Sequence, residues 1–314
     1  MNRNKKVFGR KANQYYSHRI GAYSKQRSLW SLMLLPILSI LILGSFGTFG
    51  YIYYQKTHFV LSNETNPVVA EEIPEITQQQ VDQKSLQAKE DPGLVKTIQQ
   101  EIGKMSNSSE WEVSVRDLKS GRMANVNSDE PMLSASMYKL FLLAPLEKKI
   151  SAEYWKSFVG SESITDCVMA MITASDNDCS QALGNYINWK NADAHNQTLG
   201  FTTTKIGVKD NQITSAREVN DIMYRLQNSQ ILSDKARRIV FDALYEQKFR
   251  SGIPAGCGEG CLVGNKTGDI DGYRHDAAIV THGQAKYVLV IMTKDATWAQ
   301  IASLAKSIDV EMLP

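Results

Sequence analysis

The feature that most constrains this 314-residue chain is a run of 28 residues without a charged side chain, from Ser28 to Gln55. About 20 apolar residues suffice for a helix to cross a bilayer. Trp30 and Tyr51 lie near the ends of the run, where interfacial aromatic residues are common. We therefore predict a transmembrane helix over residues 29–54. A cleaved signal peptide is the alternative, but the long basic lead and the lack of a small-residue cleavage pattern favour a retained anchor.

Basic charge is concentrated before this run. Residues 1–28 contain eight of the 35 Lys and Arg residues and none of the 33 acidic residues, so the rest of the chain is net acidic. Basic residues mark the cytoplasmic side of a membrane helix. We therefore predict a single-pass membrane protein with a cytoplasmic tail (1–28) and an extracytoplasmic main domain. Because the positive charge is confined to the tail, no nucleic-acid partner is predicted.

The remaining sequence divides into a linker and one large domain. Residues 55–90 are polar and rich in Gln and Glu, without a lasting hydrophobic period, and we interpret them as an extracytoplasmic linker. Residues 91–314 begin with a helix that Asp91 caps, followed by two strands. The pattern is then helical over about 136–247, with loops near 160, 175 and 190–213. Three strands and a final helix, "TWAQIASLAKSI", close the domain.

Four cysteines lie in the main domain, on the predicted outer side of the membrane, where disulfides persist. They are Cys167, Cys179, Cys257 and Cys261. Three pairings are possible, and one of them closes the short "GCGEGC" loop. A zinc site is the other interpretation, although the spacings are not those of a zinc ribbon and histidine is scarce. We interpret His275 and His282 as strand-face residues rather than catalysts.

Three short motifs carry the chemistry. "SASMYK" places Ser136 three residues before Lys139, "SDN" spans 175–177 and "KTG" spans 266–268. A serine hydroxyl becomes a strong nucleophile when a base takes its proton, and helical residues three apart share one face. S-x-x-K alone is weak, since "SLAK" at Ser303 repeats it. The three motifs in this order predict an acylating serine.

The set resembles the class A β-lactamase and penicillin-binding serine hydrolases over roughly residues 92–314. "WEVSVRDLKSGRMANVNSDEPMLSASMYK" is similar to that family's first two strands and nucleophile helix, and "FRSGIPAG" to its approach to the K-T-G strand. The resemblance implies an α+β fold of three α/β/α layers. An antiparallel sheet would be built from both ends of the domain, with a helical block beside it. No cofactor or metal is implied.

The resemblance assigns catalytic roles to four residues. Ser136 would attack the substrate carbonyl and Lys139 would take its proton. Ser175 would pass a proton to the leaving nitrogen. Lys266 would bind the substrate carboxylate and lower the barrier electrostatically.

It also implies a set of substrate-binding groups. Asn177 would hold the substrate amide, and Thr267 would bind the carboxylate beside the lysine. The backbone N–H groups of Ser136 and Asp269 would form the oxyanion hole. Arg274 corresponds to a carboxylate-binding arginine of some family members. A structural ion pair is the alternative role for Arg274.

The sequence departs from the class A pattern where the deacylating glutamate is expected. Residues 199–219, "LGFTTTKIGVKDNQITSAREV", are shorter than the family's loop and lack E-x-x-L-N. Asp210 is the carboxylate within the loop that could substitute as a base, while Glu218 falls in the following helix. We therefore expect acylation by β-lactams or D-Ala-D-Ala-like wall peptides, with slow β-lactam turnover. A D,D-carboxypeptidase, a non-catalytic wall-peptide-binding module and a membrane–wall tether are the alternatives.

Overall fold

The computed structural model of the protein describes residues 89–105, 109–207 and 211–314. The predicted tail, the transmembrane segment 29–54 and most of the linker lie outside these ranges. Within them, no helix combines the length and the apolar character that crossing a membrane requires.

The architecture is a central sheet with helices on both faces. The strands are β1 (Lys89–Glu90), β2 (Glu110–Asp117), β3 (Arg122–Val126), β4 (Met132–Leu133), β5 (Phe158–Val159), β6 (Glu162–Ser163), β7 (Ile213–Thr214), β8 (Cys261–Ile270), β9 (Tyr273–His282) and β10 (Ala285–Lys294). Six of them form one sheet in the order β1-β3-β2-β10-β9-β8. Its neighbours pair antiparallel except β1 with β3. Strands from both ends of the domain thus share one sheet, as predicted.

Nine α-helices surround the sheet in the described ranges. They are α1 (Pro92–Gly103), α2 (Leu143–Lys149), α3 (Ile164–Thr173), α4 (Asn177–Ile187), α5 (Trp189–Thr198), α6 (Ala216–Gln227), α7 (Asp234–Tyr245), α8 (Ile253–Gly256) and α9 (Trp298–Met312). Short 3₁₀ helices span Met137–Leu142 and Ala152–Tyr154.

Two hydrophobic cores, one on each face of the sheet, hold the layers together. On one face α1 and α9 pack against the sheet, with Ile98 and Leu304 fully buried. On the other face the helical block packs around Phe141 and Met171. Because both faces are covered, β2 is buried along most of its length and its side chains do not show a solvent-facing alternation.

The structure corrects two boundaries. Residues 190–198, expected to be loop, belong to helix α5 (Trp189–Thr198), whose first turn is capped by the Asn188 side chain. Ala192 and Asn196 are its buried residues, so the sequence offers almost no apolar period there. Lys89 and Glu90, placed at the end of the linker, form β1 and pair with β3. The helices α1, α6, α7 and α9 and the last three strands were predicted correctly.

Both disulfides are local. Cys167 pairs with Cys179, with 4.9 Å between their Cα atoms, and ties α3 to α4. Cys257 pairs with Cys261, with 6.0 Å between their Cα atoms, and closes the loop before β8. This is the pairing that the short "GCGEGC" loop allowed.

A buried carboxyl group links β2 to the start of α6. Glu112 is 3% exposed, and its Oε2 accepts a hydrogen bond of 3.0 Å from the Ala216 backbone N–H. Burial raises the pKa of Glu112 from its ordinary value of 4.5 to about 8. The folded state therefore holds a proton that the unfolded chain has released between these two pH values.

This difference predicts a stability that falls with pH. Because the folded pKa is the higher one, Glu112 should make the free energy of unfolding decrease between pH 4.5 and 8, by up to about 1.4 kcal/mol per pH unit. The Glu112→Gln variant keeps the acceptor oxygen but cannot ionise. In this variant, the contribution of Glu112 to the pH dependence of the free energy of unfolding should be absent. Urea unfolding at several pH values would measure it. Glu162→Gln, in the exposed first residue of β6, is the control, and an unchanged slope in Glu112→Gln would contradict the assignment.

Candidate active site

Ser136 lies at the N-terminal end of the 3₁₀ helix Met137–Leu142. The residue before it, Ala135, has a φ of 46°, in the left-handed region that a residue with a Cβ seldom adopts. Pairing of β4 with β7 fixes the approach, and the Ser134 N–H donates to Gln212 O at 2.8 Å. The turn thus directs the Ser136 side chain into a surface cavity.

Lys139 follows one helical turn later and is fully buried. Its ammonium donates to Ser175 O at 2.5 Å, to Ser175 Oγ at 3.3 Å and to Asn177 Oδ1 at 2.7 Å. Burial lowers the pKa of Lys139 to about 8, while the nearby carboxylate of Asp176 acts in the opposite direction. A substantial neutral fraction near physiological pH is what a lysine needs to act as a base.

The "SDN" motif forms the turn between α3 and α4. Ser175 has a φ of 57°, another left-handed residue. The Asp176 side chain caps α4 by accepting from the Cys179 N–H at 2.7 Å. With Asp176 as the cap, the Asn177 side chain is free to accept from Lys139. The strained turn therefore presents Ser175 and Asn177 to the cavity.

The "KTG" motif contributes the second buried lysine. Lys266 Nζ donates to Ser175 Oγ at 2.9 Å and to Thr267 O at 2.6 Å. Burial and the positive charge of Lys139 both lower the pKa of Lys266. The Ser175 hydroxyl therefore contacts both lysines at once. An anionic substrate group would favour the charged form of Lys266, because an opposite charge stabilises an ammonium.

Gly268 brings β8 against Ser136, the predicted nucleophile. A Cβ at this position would lie 2.9 Å from both Ala135 Cβ and the Ser136 backbone N. A side chain would therefore force the strand away from the helix start. The glycine allows two backbone segments to approach closely, as the predicted oxyanion hole between Ser136 and Asp269 requires.

Behind β8, a buried polar network supports Lys266. Asp276 accepts from Asn265 Nδ2 and from the Ile253 N–H, each at 2.8 Å. Arg250 donates to Asn265 Oδ1 at 3.0 Å. Burial raises the pKa of Asp276 to about 7. The network joins β8, β9 and the segment before α8, and sequence analysis did not identify it because its members are dispersed.

The cavity beside Ser136 has a volume of 420 Å³. It is lined by Ser136, Ala174, Ser175, Asn177, Lys248, Phe249, Arg250, Ser251, Thr267, Asp269 and Trp298. Three predicted substrate-binding residues, Asn177, Thr267 and Asp269, are among them. Lys248 and Trp298 were not predicted, since neither belongs to a motif.

Asp269 and Arg274 face each other across the end of the β8–β9 hairpin. The Trp298 indole N–H donates to Asp269 Oδ2 at 3.2 Å, and Arg274 Nε lies 3.9 Å from the same oxygen. Arg274 also donates to Ala296 O at 2.8 Å and does not line the cavity. This geometry favours the ion-pair role for Arg274, while the carboxylate-binding role stays a prediction.

The two histidines occupy strand positions. His275 is fully buried, donates to Leu133 O at 2.8 Å and accepts from the Thr293 N–H at 3.1 Å. Burial lowers the pKa of His275 to about 4, so it is neutral at physiological pH. Its hydrogen bonds connect the central sheet to β4, which precedes Ser136.

Two carboxylates were considered for deacylation. One of them, Glu218, forms hydrogen bonds within the loop. Glu218 accepts from the backbone N–H groups of Thr203 and Thr204 at 2.8 and 2.7 Å and so holds the loop. Asp210, the predicted substitute base, lies outside the described residues. Among the described residues, no carboxylate forms a hydrogen bond or ion pair with Lys139.

A sequence model of the "Beta-lactamase enzyme family" matches residues 93–157 and 156–308. The chain belongs to the β-lactamase enzyme family. It is thus a serine hydrolase of the β-lactamase and penicillin-binding type that acts on amide bonds, in agreement with its three motifs. No protein of curated function matches it in sequence.

Solved structures support the fold of this β-lactamase-family protein. PBP-A is similar, with a TM-score of 0.64 and 21% identity over 71% of this chain and 97% of PBP-A. A class A β-lactamase from Clostridium kluyveri gives 0.62 and 20% over 70% of this chain and 99% of that chain. The β-lactamase from Streptomyces albus G gives 0.62 and 18% over the same shares. At these identities the likeness shows the α+β fold.

The balance of forces on Lys139 predicts how its pKa responds to mutation. Lys139 should titrate near pH 8. Asp176→Asn should lower that pKa further, because asparagine still caps the helix while the stabilising charge is lost. NMR titration of ¹³C-labelled lysines, with the Lys139 signal assigned by its absence in Lys139→Arg, would measure both.

Asp178→Asn, in the first turn of the same helix, is the matched control and should leave the Lys139 pKa unchanged. Titration of wild-type Lys139 near its ordinary value of 10.5 would contradict the burial argument.

Proposed function

We propose that the protein is a membrane-anchored, extracytoplasmic active-site serine hydrolase whose Ser136 is acylated by β-lactams or D-Ala-D-Ala-like amides, with slow β-lactam hydrolysis. The observation that carries the proposal is the Ser175 hydroxyl held 3.3 Å from Lys139 Nζ and 2.9 Å from Lys266 Nζ, beside the Ser136 cavity. Two buried lysines of lowered pKa around one hydroxyl form a route for protons.

Acylation would begin with neutral Lys139 accepting the proton of Ser136 Oγ. The Oγ attacks the carbonyl carbon of the amide, and the carbonyl oxygen becomes an oxyanion. Backbone N–H groups of Ser136 and Asp269 would stabilise that charge, each by about 3–4 kcal/mol. The close approach at Gly268 keeps these two segments together.

Collapse of the tetrahedral intermediate would then break the amide C–N bond. Ser175 donates its hydroxyl proton to the leaving nitrogen and is reprotonated from a neighbouring lysine. A substrate carboxylate beside Thr267 would hold Lys266 in its charged form. The product is an ester between the substrate acyl group and Ser136.

Slow release of the acyl group is inferred from the surroundings of Lys139. Hydrolysis of the ester needs a base that activates water. The hydrogen-bond acceptors of Lys139 are Ser175 and Asn177, and Glu218 is occupied with the loop backbone. The described site is therefore better equipped for acylation than for deacylation. A PBP-A mutant is known as an acyl-enzyme complex with penicillin G, which supports the choice of probe.

The test is intact-mass spectrometry of the full chain, purified in detergent and mixed with penicillin G. We expect an adduct with the mass of the whole antibiotic that persists over time and is absent in Ser136→Ala. Ser303→Ala is the matched control, because Ser303 begins the look-alike "SLAK" sequence on the exposed side of α9. That variant should form the adduct as the wild type does.

Other results would change the proposal. Rapid loss of antibiotic with a transient adduct would show an efficient β-lactamase and would contradict slow deacylation. Absence of both adduct and hydrolysis would contradict β-lactam acylation. An adduct that survives in Ser136→Ala would rule out Ser136 as the nucleophile.

A D,D-carboxypeptidase acting on wall peptides is the second candidate. The cavity of 420 Å³ joins Ser136 to Thr267, and a terminal D-alanine carboxylate has the charge that Lys266 would bind. Release of D-alanine from a peptide ending in D-Ala-D-Ala would distinguish this activity. If the protein were a non-catalytic binding module, the wild type and the Ser136→Ala variant would bind such peptides equally well.

The membrane location rests on the uncharged run Ser28–Gln55 and the basic residues before it. We expect the full chain to stay with membranes after alkaline carbonate extraction and to lose this association when residues 29–54 are deleted. Protease added to intact cells with a permeable wall should cleave the main domain. A carbonate-soluble full chain would contradict a retained anchor.

A further inference from the structure

The four side chains Cys257, Cys261, His282 and Asp309 meet at the end of the sheet that lies at the start of β8. One potential ligand atom from each lies within 4.8 Å of all the others. Lys266 lies five residues after Cys261 on β8, and none of the four residues lines the Ser136 cavity, so the cluster is separate from that site. We propose that, when its disulfide is reduced, the cluster binds one zinc ion, as an alternative to the disulfide.

The ligand set is one that zinc accepts. Two thiolates, an imidazole and a carboxylate provide four donors for a tetrahedral ion. With Zn–ligand distances of about 2.0–2.3 Å, tetrahedral donors lie about 3.3–3.8 Å apart. The observed upper limit of 4.8 Å is close to this range. Small side-chain movements would therefore complete the site.

The loop places the imidazole beside the sulfurs. Cys261 is the register partner of His282 across β8 and β9. A Cβ at Gly258 would lie 3.1 Å from His282 Cε1, the ring carbon between the two nitrogens. The backbone between the cysteines thus packs directly against the edge of the ring that carries both potential donors.

The carboxylate is already oriented by a neighbour. Tyr287 donates its hydroxyl to Asp309 Oδ1 at 2.7 Å, and His282 Nδ1 lies 2.9 Å from Asp309 Oδ2. The Tyr287 hydrogen bond holds the carboxylate at Oδ1, as is common for carboxylates that bind zinc. Zinc would replace the contact between Oδ2 and His282 Nδ1 with bonds from the metal to both groups. Asp309 itself is 4% exposed, on the rigid helix α9.

The redox chemistry balances with a thiol reductant. Two equivalents of a monothiol supply two electrons and two protons, which convert the Cys257–Cys261 disulfide to two thiols and leave one molecule of oxidised reductant. Zinc then displaces both thiol protons and binds the two thiolates. The His282 imidazole and the Asp309 carboxylate supply the other two donor atoms. The disulfide and the zinc ion exclude each other because both use the same sulfur atoms.

Either link would restrain the start of β8. The disulfide closes the short loop before the strand, whereas zinc would join that loop to β9 and α9 through His282 and Asp309. The reduced protein without metal has neither link. We therefore expect zinc to restore thermal stability that reduction removes.

The test uses the full chain in detergent, reduced, freed of reductant and chelator under argon, and then titrated with zinc alone. We expect one zinc per reduced chain and none per oxidised chain, with a higher melting temperature only after zinc is added to the reduced protein. Cobalt(II) should give the intense visible absorption of a tetrahedral thiolate site. His282→Ala should weaken zinc binding by at least about tenfold.

The second disulfide provides a matched control. Cys167→Ala with Cys179→Ala should leave zinc binding unchanged, whereas Cys257→Ala with Cys261→Ala should abolish it. Melting of the oxidised His282→Ala protein would confirm that this variant folds. Any of three results would overturn the proposal. The reduced wild type takes up no zinc, the oxidised protein takes up as much zinc as the reduced protein, or zinc uptake survives the loss of Cys257 and Cys261.

Discussion

The burial of two lysines around one serine hydroxyl is the interaction on which the active site depends. A buried ammonium loses solvation, which lowers the pKa of Lys139. Burial and the positive charge of Lys139 together lower the pKa of Lys266. Hydrogen bonds to Ser175, Asn177 and Thr267 O offset part of that cost. The arrangement is therefore tolerable in the folded protein and chemically reactive, because a partly neutral lysine can accept a proton that an exposed lysine could not.

The two buried lysines are held on rigidly packed elements of the fold. Lys139 extends from a helix packed in one hydrophobic core, while Lys266 extends from β8 in the sheet. Ala135 and Ser175 have left-handed backbone conformations, which orient the side chains of Ser136 and Ser175. Each such conformation lowers the stability of the fold by of order 1–3 kcal/mol. Local strain of this kind persists where packing on both sides fixes the chain. The two cores supply that packing, and Gly268 leaves room for β8 to approach Ser136, because a Cβ at this position would clash with the turn.

Sequence reasoning succeeded where physical patterns are local and repetitive. The caps and apolar periods of α1, α6 and α7 predicted those helices, and the three motifs predicted the residues that the structure gathers around the cavity. It missed α5, because that helix buries few residues and carries no apolar stripe. It also missed Lys248, Trp298 and the network around Asp276, since these depend on distant segments meeting in space. The pairing of Asp269 with Trp298 likewise joins β8 to α9 and has no signature in either segment alone.

Acylation and deacylation make different demands on this site. In the proposed mechanism, acylation uses groups that the three motifs position directly: a nucleophile, a lysine base, a proton donor and an oxyanion hole. Deacylation needs a further base beside the ester, and Glu218 supplies its charge instead to the backbone of Thr203 and Thr204. Both oxygens of this carboxylate accept hydrogen bonds within the loop. The described part of the site thus uses the Glu218 carboxylate to hold the loop backbone, and our proposal of a long-lived acyl-enzyme is argued from that arrangement.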